Sequence, residues 1–155
     1  MASQRPLPCY LIAIIAVGLT APAAADTDPS AATAPLVVEI SNIPNDKGQI
    51  GCSLYSSKDG FPSDPQKAAK ILFVTPKNGR ATCTFKSVTP GKYAVSVMHD
   101  EDKDGELETN IVGRPKEWWG VSNDVPAERF GPPKYEAATF DFTGEPKTIR
   151  VKLQL

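Results

Sequence analysis

From about residue 36 onward, apolar and polar positions alternate with a period of two, the mark of half-buried strands and not of helices. "LVVEISNI" sets Leu36, Val38 and Ile40 on one face, "GQIGCSLY" does so with Ile50, Cys52 and Leu54, and "RATCTFKS" with Ala81, Cys83 and Phe85. "GKYAVSVMH" places Tyr93, Val95, Val97 and His99 against Ala94, Ser96 and Met98. "KILFVT" (Lys70 to Thr75) and "ATFDF" are further strands. In "TIRVKLQL", Ile149, Val151, Leu153 and Leu155 point inward, with Thr148, Arg150, Lys152 and Gln154 toward water. Seven short strands punctuated by turn signals such as Asn78-Gly79 and Pro90-Gly91 predict an all-β fold, a single antiparallel β-sandwich. A helical turn or two is expected at "SDPQKAAK", with Asp64 capping the first free amides and Pro65 where a missing N–H does no harm. The interval from His99 to Lys134 has no strand pattern, and a loop of that length is usually functional or carries its own small packing unit.

The residues before the strands read differently. Arg5 precedes a short apolar run, "CYLIAIIAVGL" (Cys9 to Leu19), and Ala23 to Ala25 supply the small residues of a signal-peptidase site, so residues 1–25 are expected to be a signal peptide. The apolar run falls short of the roughly 20 residues that span a bilayer, so no stable membrane insertion is expected after cleavage. Cys9 lacks the small residues that precede a lipoprotein cysteine. Residues 26–35, small, polar and proline-bearing, read as a flexible leader to a domain at 36–155. The expected location is periplasmic or secreted. The cleaved chain of about 130 residues suits one domain with a real core. With a net charge of −1 and no basic stripe, nucleic acid is not an expected partner. Cys52 and Cys83 alone remain after cleavage. Both lie on inward faces in an oxidising compartment, which predicts a disulfide.

Candidate chemistry gathers in the long loop. In "HDEDKDGELETN", Asp100, Asp102 and Asp104 stand at alternate positions with Gly105 next, the first part of a D-x-D-x-D-G calcium loop. Such a loop would hold calcium through those three aspartates, the Glu106 carbonyl and Glu108, weakly, at about 10⁻⁴–10⁻³ M. Ile111 occupies the twelfth position, where an EF-hand has its closing glutamate, and a strand leads in, so this is not an EF-hand. The competing reading is a solvated acidic turn. His99, the only histidine, falls inward at a strand end, where a hydrogen-bonded core residue is expected. "GVSND" offers Ser122 without the second glycine of a nucleophile elbow. Trp118, Trp119, Phe130 and Tyr135 lie among glycines and prolines. They suit either stacking on a glycan or protein partner, or pinning the loop to the sandwich.

"PGKYAVSVMHDEDKDGELETNIVGRPKEWWGVSND" and "RFGPPKYEAATFDF" together resemble the bacterial exported proteins grouped as domain of unknown function 2141. The family pattern falls on His99, Asp100, Asp102, Asp104, Gly105, Thr109, Asn110, Gly113, Pro115, Glu117, Gly120, Ser122, Asn123, Pro133 and Ala137. Here Trp118-Trp119 replaces a smaller residue and a lone aromatic. The resemblance implies a periplasmic or secreted Ig-like or transthyretin-like sandwich, similar to carboxypeptidase-regulatory-like modules, and brings no activity with it. Transthyretin-type hydroxyisourate hydrolases and intradiol dioxygenases need more histidines than this chain has. The expected function is a non-enzymatic binding module with a calcium-ordered loop. Its ligand-binding candidates are His99, Asn110, Glu117, Trp118, Trp119, Ser122, Asn123 and Tyr135, and its partner is a glycan or another envelope protein. A periplasmic hydrolase using His99 with loop carboxylates, or a purely structural envelope protein, is the alternative.

Overall fold

A computed structural model describes residues 32–107, 111, 115–128 and 131–155. Among these residues eight strands form two sheets: β1 (Ala34–Ser41), β2 (Gln49–Tyr55), β3 (Lys70–Val74), β4 (Ala81–Val88), β5 (Gly91–Asp100), β6 (Trp119–Val121), β7 (Phe140–Phe142) and β8 (Lys147–Lys152). One sheet has the order β4-β1-β8. The other runs β3-β2-β5-β6, with β7 also paired to β5. The expected all-β sandwich is what forms. One pairing departs from a purely antiparallel arrangement: β8 runs parallel to β1, with Val38 opposite Ile149. Among the described residues no helix is long and apolar enough to cross a membrane.

The period-two faces build the core as the alternation requires. Leu36, Val38, Ile40, Cys83, Phe85 and Val151 from one sheet meet Ile50, Cys52, Leu54, Val95 and Val97 from the other, all buried. Each such side chain contributes about 1.5–3 kcal/mol by leaving water. The disulfide between Cys52 and Cys83 crosses this core from β2 to β4, with Cα atoms 6.6 Å apart. In the chain-entropy account, closing a loop of this size stabilises the fold by about 3–4 kcal/mol. Leu155 departs from its expected inward place and is 70% exposed, because strand pairing by β8 stops at Lys152 and no neighbour covers the last residue.

Two connectors follow their sequence signals. Asn78 and Gly79 both adopt positive φ (54° and 71°), as a tight hairpin turn between Lys77 and Arg80 demands. Asp64 accepts from the Gln66 N–H at 3.1 Å and starts a single 3-10 turn, Pro65–Lys67.

The long interval carries a packing unit of its own. β6 lies inside it, against β5, and a short helix α1 (Tyr135–Ala138) follows. Ala94, Trp119, Val121 and Ala138 form a second small core on the outer face of the larger sheet, flanked by Phe61, Leu107, Val125 and Tyr135. This is why Ala94, expected on the solvent side of β5, is buried. At Gly120 a Cβ atom would stand 2.8 Å from the Lys152 carbonyl oxygen and from Val151 Cγ1, so only glycine lets β6 lie this close to β8. Paired backbone bonds between Trp119 and Gln154 (2.9 and 2.8 Å) lace that flank of the sandwich shut.

Candidate functional site

β5 delivers Asp100 to the end of the sandwich, opposite Gln49 of β2. The Asp100 side chain is buried and accepts four donors. The Lys103 and Asp104 amides reach Oδ1 at 2.7 and 3.2 Å, and the Gly105 amide and Gln49 Nε2 reach Oδ2 at 3.1 and 2.8 Å. Burial raises the pKa of this carboxyl, but the Gln49 amide and the Gly105 and Lys103 N–H groups outweigh it. The net value lies below the ordinary aspartate range, and Asp100 is an anion at neutral pH. The turn is completed by Asp102 Oδ1, which accepts from the Asp104 amide at 3.2 Å, and by Asp104 Oδ1, which accepts from Glu106 at 2.8 Å. Lys103 and Gly105 take the left-handed backbone this winding needs.

Oxygens of Asp100, Asp102 and Glu117 converge within 4.8 Å of one another, an arrangement that can hold a cation. Glu117, expected as a ligand-binding residue, is thus the carboxylate the structure brings to the aspartates. It stands just before β6 and accepts from the Glu101 amide at 3.3 Å. The sequence signal was weak: fifteen residues separate Glu117 from Asp102, and only the return of the chain to β5 closes the gap. The Asp104 and Glu106 carboxylates lie outside the converging group of side-chain oxygens, with Asp104 turned to its own loop. Glu108 and Asn110 fall outside the described residues, as does Phe130.

His99 is wholly buried, as its parity requires. Its Nε2 lies 2.8 Å from the Lys47 carbonyl, so Nε2 carries a proton and donates. Nδ1 has no hydrogen-bond partner, and Glu101 Oε1 stands 3.9 Å away. A general base must touch its substrate, and among the described residues this ring is wholly enclosed.

The other candidates divide by burial. Trp119 belongs to the outer core. Ser122 is buried with its hydroxyl on protein atoms, donating to the Ala138 carbonyl at 2.6 Å and accepting from the Val95 amide at 2.9 Å. Asn123 donates to the Ala137 and Thr139 carbonyls, both at 3.0 Å, and so pins α1 and the residue after it. Tyr135 is half-buried edge-on against Phe61 (5.6 Å), which packs in turn on Tyr55 (5.4 Å). Trp118, half-buried against the main core, borders an open cleft of about 410 Å³, together with Asn42, Val121, Asp124, Lys152, Leu153, Gln154 and Leu155. Asp124 at its wall and Asn123 just before it both hold positive φ (49° and 66°). They are kept there by the Asn123 bonds and by Asp124 Oδ1, which accepts from the Lys152 amide at 2.8 Å. The sequence pattern leaves Asp124 within the long loop and Lys152 and Gln154 on the solvent face of the last strand.

The model of a family described as an uncharacterized protein conserved in bacteria (DUF2141) matches residues 38–150. No curated protein and no solved structure matches the chain.

Proposed function

The chain belongs to the DUF2141 family, and from that membership and the geometry at the end of β5 we propose an exported, non-catalytic binding module with a calcium-binding loop. Asp100, Asp102 and Glu117 hold the ion, and the adjoining Trp118 cleft takes a glycan. The observation that carries this reading is the convergence of the three carboxylates within 4.8 Å. All bring negative charge to one point, and a divalent cation relieves their repulsion. Since Asp100 is already engaged by four donors, the ion draws chiefly on Asp102 and Glu117, which accords with weak, extracellular-type affinity of about 10⁻⁴–10⁻³ M. Export is supported by the charged-then-apolar N-terminal sequence and by a disulfide suited to an oxidising compartment. Glu117 and Trp118 are neighbours in sequence, so an ion on the first steadies the second at the cleft. There Asp124, Lys152 and Gln154 offer polar groups to sugar hydroxyls.

Calorimetric titration with calcium chloride tests the ion. We expect millimolar binding in the wild type that is lost in Asp102→Ala and in Glu117→Gln; absence of heat in the wild type at about 10 mM calcium ends the proposal. The four donors on Asp100 favour a second reading, a loop that folds unaided and serves only structure. The same titration separates the two. For the cleft, oligosaccharides should change the tryptophan fluorescence of the wild type and not that of Trp118→Ala.

A further inference from the structure

The two flanks of the sandwich are finished differently. On one, β6 is laced to the residues after β8 through Trp119 and Gln154. On the other, β3 and β4 are the outermost strands of their sheets, joined by the Lys77–Arg80 turn, and among the described residues no strand pairs with their outer sides. The disulfide from β2 to β4 holds both sheets together beside this flank. β3 therefore presents a row of backbone N–H and C=O groups without a strand partner, a template for one more strand.

Side chains on β3 narrow what can add there. Ile71 and Phe73 lie on the outer face with Ser53 and Gly51 opposite them, and they are 40% and 47% exposed. The outer core that covers Trp119 and Val121 does not extend to them. A polar strand edge would leave the added strand no apolar contact, whereas this one offers two apolar residues at alternate positions. Charge narrows it further. From Pro65 to His99 the sequence contains no Asp or Glu but six Lys and Arg residues. Lys67 and Lys92 are paired with Asp59 and Asp141. Lys70, Lys77, Arg80 and Lys86, all exposed, form no ion pair among the described residues, with only Asp46, which accepts from the Asn78 and Gly79 amides, lending its charge to Lys77, and they bracket β3 and β4.

We propose that the β3 edge is a docking site for an extended acidic polypeptide segment, which adds as a strand to the larger sheet. Its apolar residues would cover Ile71 and Phe73, and its carboxylates would meet Lys70, Lys77, Arg80 and Lys86. A second copy of this chain suits the edge poorly, since a twofold β3–β3 pairing brings the unpaired cations of both copies together. The same lysines reject neutral and basic strands, so charge sets specificity while the backbone supplies most of the attraction. The site is separate from the acidic loop and does not depend on calcium.

The test uses an acetylated, amidated heptapeptide of alternating glutamate and valine, followed by amide hydrogen exchange and NMR titration on the cleaved protein. The peptide should slow exchange of the β3 amides by about tenfold or more at saturation, and binding should weaken with salt. In Lys70→Glu/Lys77→Glu, two exposed changes that leave the core untouched, affinity should fall at least about tenfold, and a lysine–valine peptide should bind instead. Any of three outcomes overturns the proposal: equal binding by a glutamate peptide with proline at its centre, which marks attraction by charge alone; protection centred elsewhere; or β3 protection that rises with protein concentration without peptide, which assigns the edge to a second copy.

Discussion

Gln49 and Asp100 are joined twice, as cross-strand partners in the β2–β5 ladder and through Gln49 Nε2, which donates to Asp100 Oδ2 at 2.8 Å. The acidic turn is therefore anchored to the sheet by a side-chain bond as well as by the chain. Asp100 organises the turn from inside with four donors, while Asp102, exposed beside it, accepts only from the Asp104 amide of the backbone.

These roles separate under mutation. Asp100→Asn keeps the size but replaces one acceptor oxygen by a donor that faces amide N–H groups, and should cost about 2–4 kcal/mol of stability with or without calcium. Asp102→Asn should stay within about 0.5 kcal/mol of wild type in the absence of calcium. With a dissociation constant near 1 mM, 10 mM calcium should add about 1.4 kcal/mol to the wild type, an upward shift of roughly 4–6 °C in Tm that Asp102→Asn lacks. Thermal melts of the three proteins with calcium or chelator measure both effects. Equal stability of Asp100→Asn and wild type would show that the four donors contribute little.

Acid should loosen the same anchor. Asp100 titrates below its unfolded value in the folded protein, so the stability it contributes is complete above about pH 4 and is lost as pH falls through its folded pKa. Asp46, whose pKa is lowered by the Gly79 and Asn78 amides at the hairpin turn, has the same sign. Urea unfolding midpoints between pH 6 and pH 2 should decline below pH 4 in wild type, and less steeply in Asp100→Asn. Parallel declines would remove Asp100 as a contributor.

Gly120→Ala should destabilise the domain by about 1–3 kcal/mol, because the new methyl meets a backbone oxygen and a core methyl, neither of which can swing away. Gly105→Ala provides the contrast. There the backbone is left-handed (φ 80°) but the space is open, so the cost is conformational alone, about 1 kcal/mol. Denaturant titration of both variants checks the order, and a Gly120→Ala protein as stable as wild type would mean that β6 is not held against β8.

Most of the legible strands have one wet face. β1, β4 and β8 alternate because sandwich core and solvent lie on opposite sides, whereas β2 is buried on both faces and was readable because small Gly51 and Ser53 stand between Ile50, Cys52 and Leu54. β6 was illegible for the opposite reason. Trp119 and Val121 serve the outer core while Gly120 faces β8, so all three residues are buried and no alternation remains to be read. α1 was hidden likewise, in a short stretch whose one buried residue, Ala138, also fits a strand pattern. Both cysteines were readable because inward parity and an even count agree. Of the acidic site, the aspartates announced themselves by spacing. Glu117 did not, because convergence across a chain reversal leaves no local pattern. Asp124 and Lys152 were invisible as cleft residues for the same reason.

The parallel pairing of β8 with β1 sets the order in which this chain can finish folding. Leu36 lies opposite Lys147, and β1 sits at the centre of its sheet between β4 and β8. One side of the first strand must therefore wait for the last, and that sheet closes only across more than a hundred residues of intervening chain. A nascent chain that has not yet released β8 has only part of its native sheet available to it. Were the chain exported as proposed, this delay would keep the precursor threadable until synthesis is nearly done, and would leave the final closure to the compartment where Cys52 and Cys83 can be oxidised.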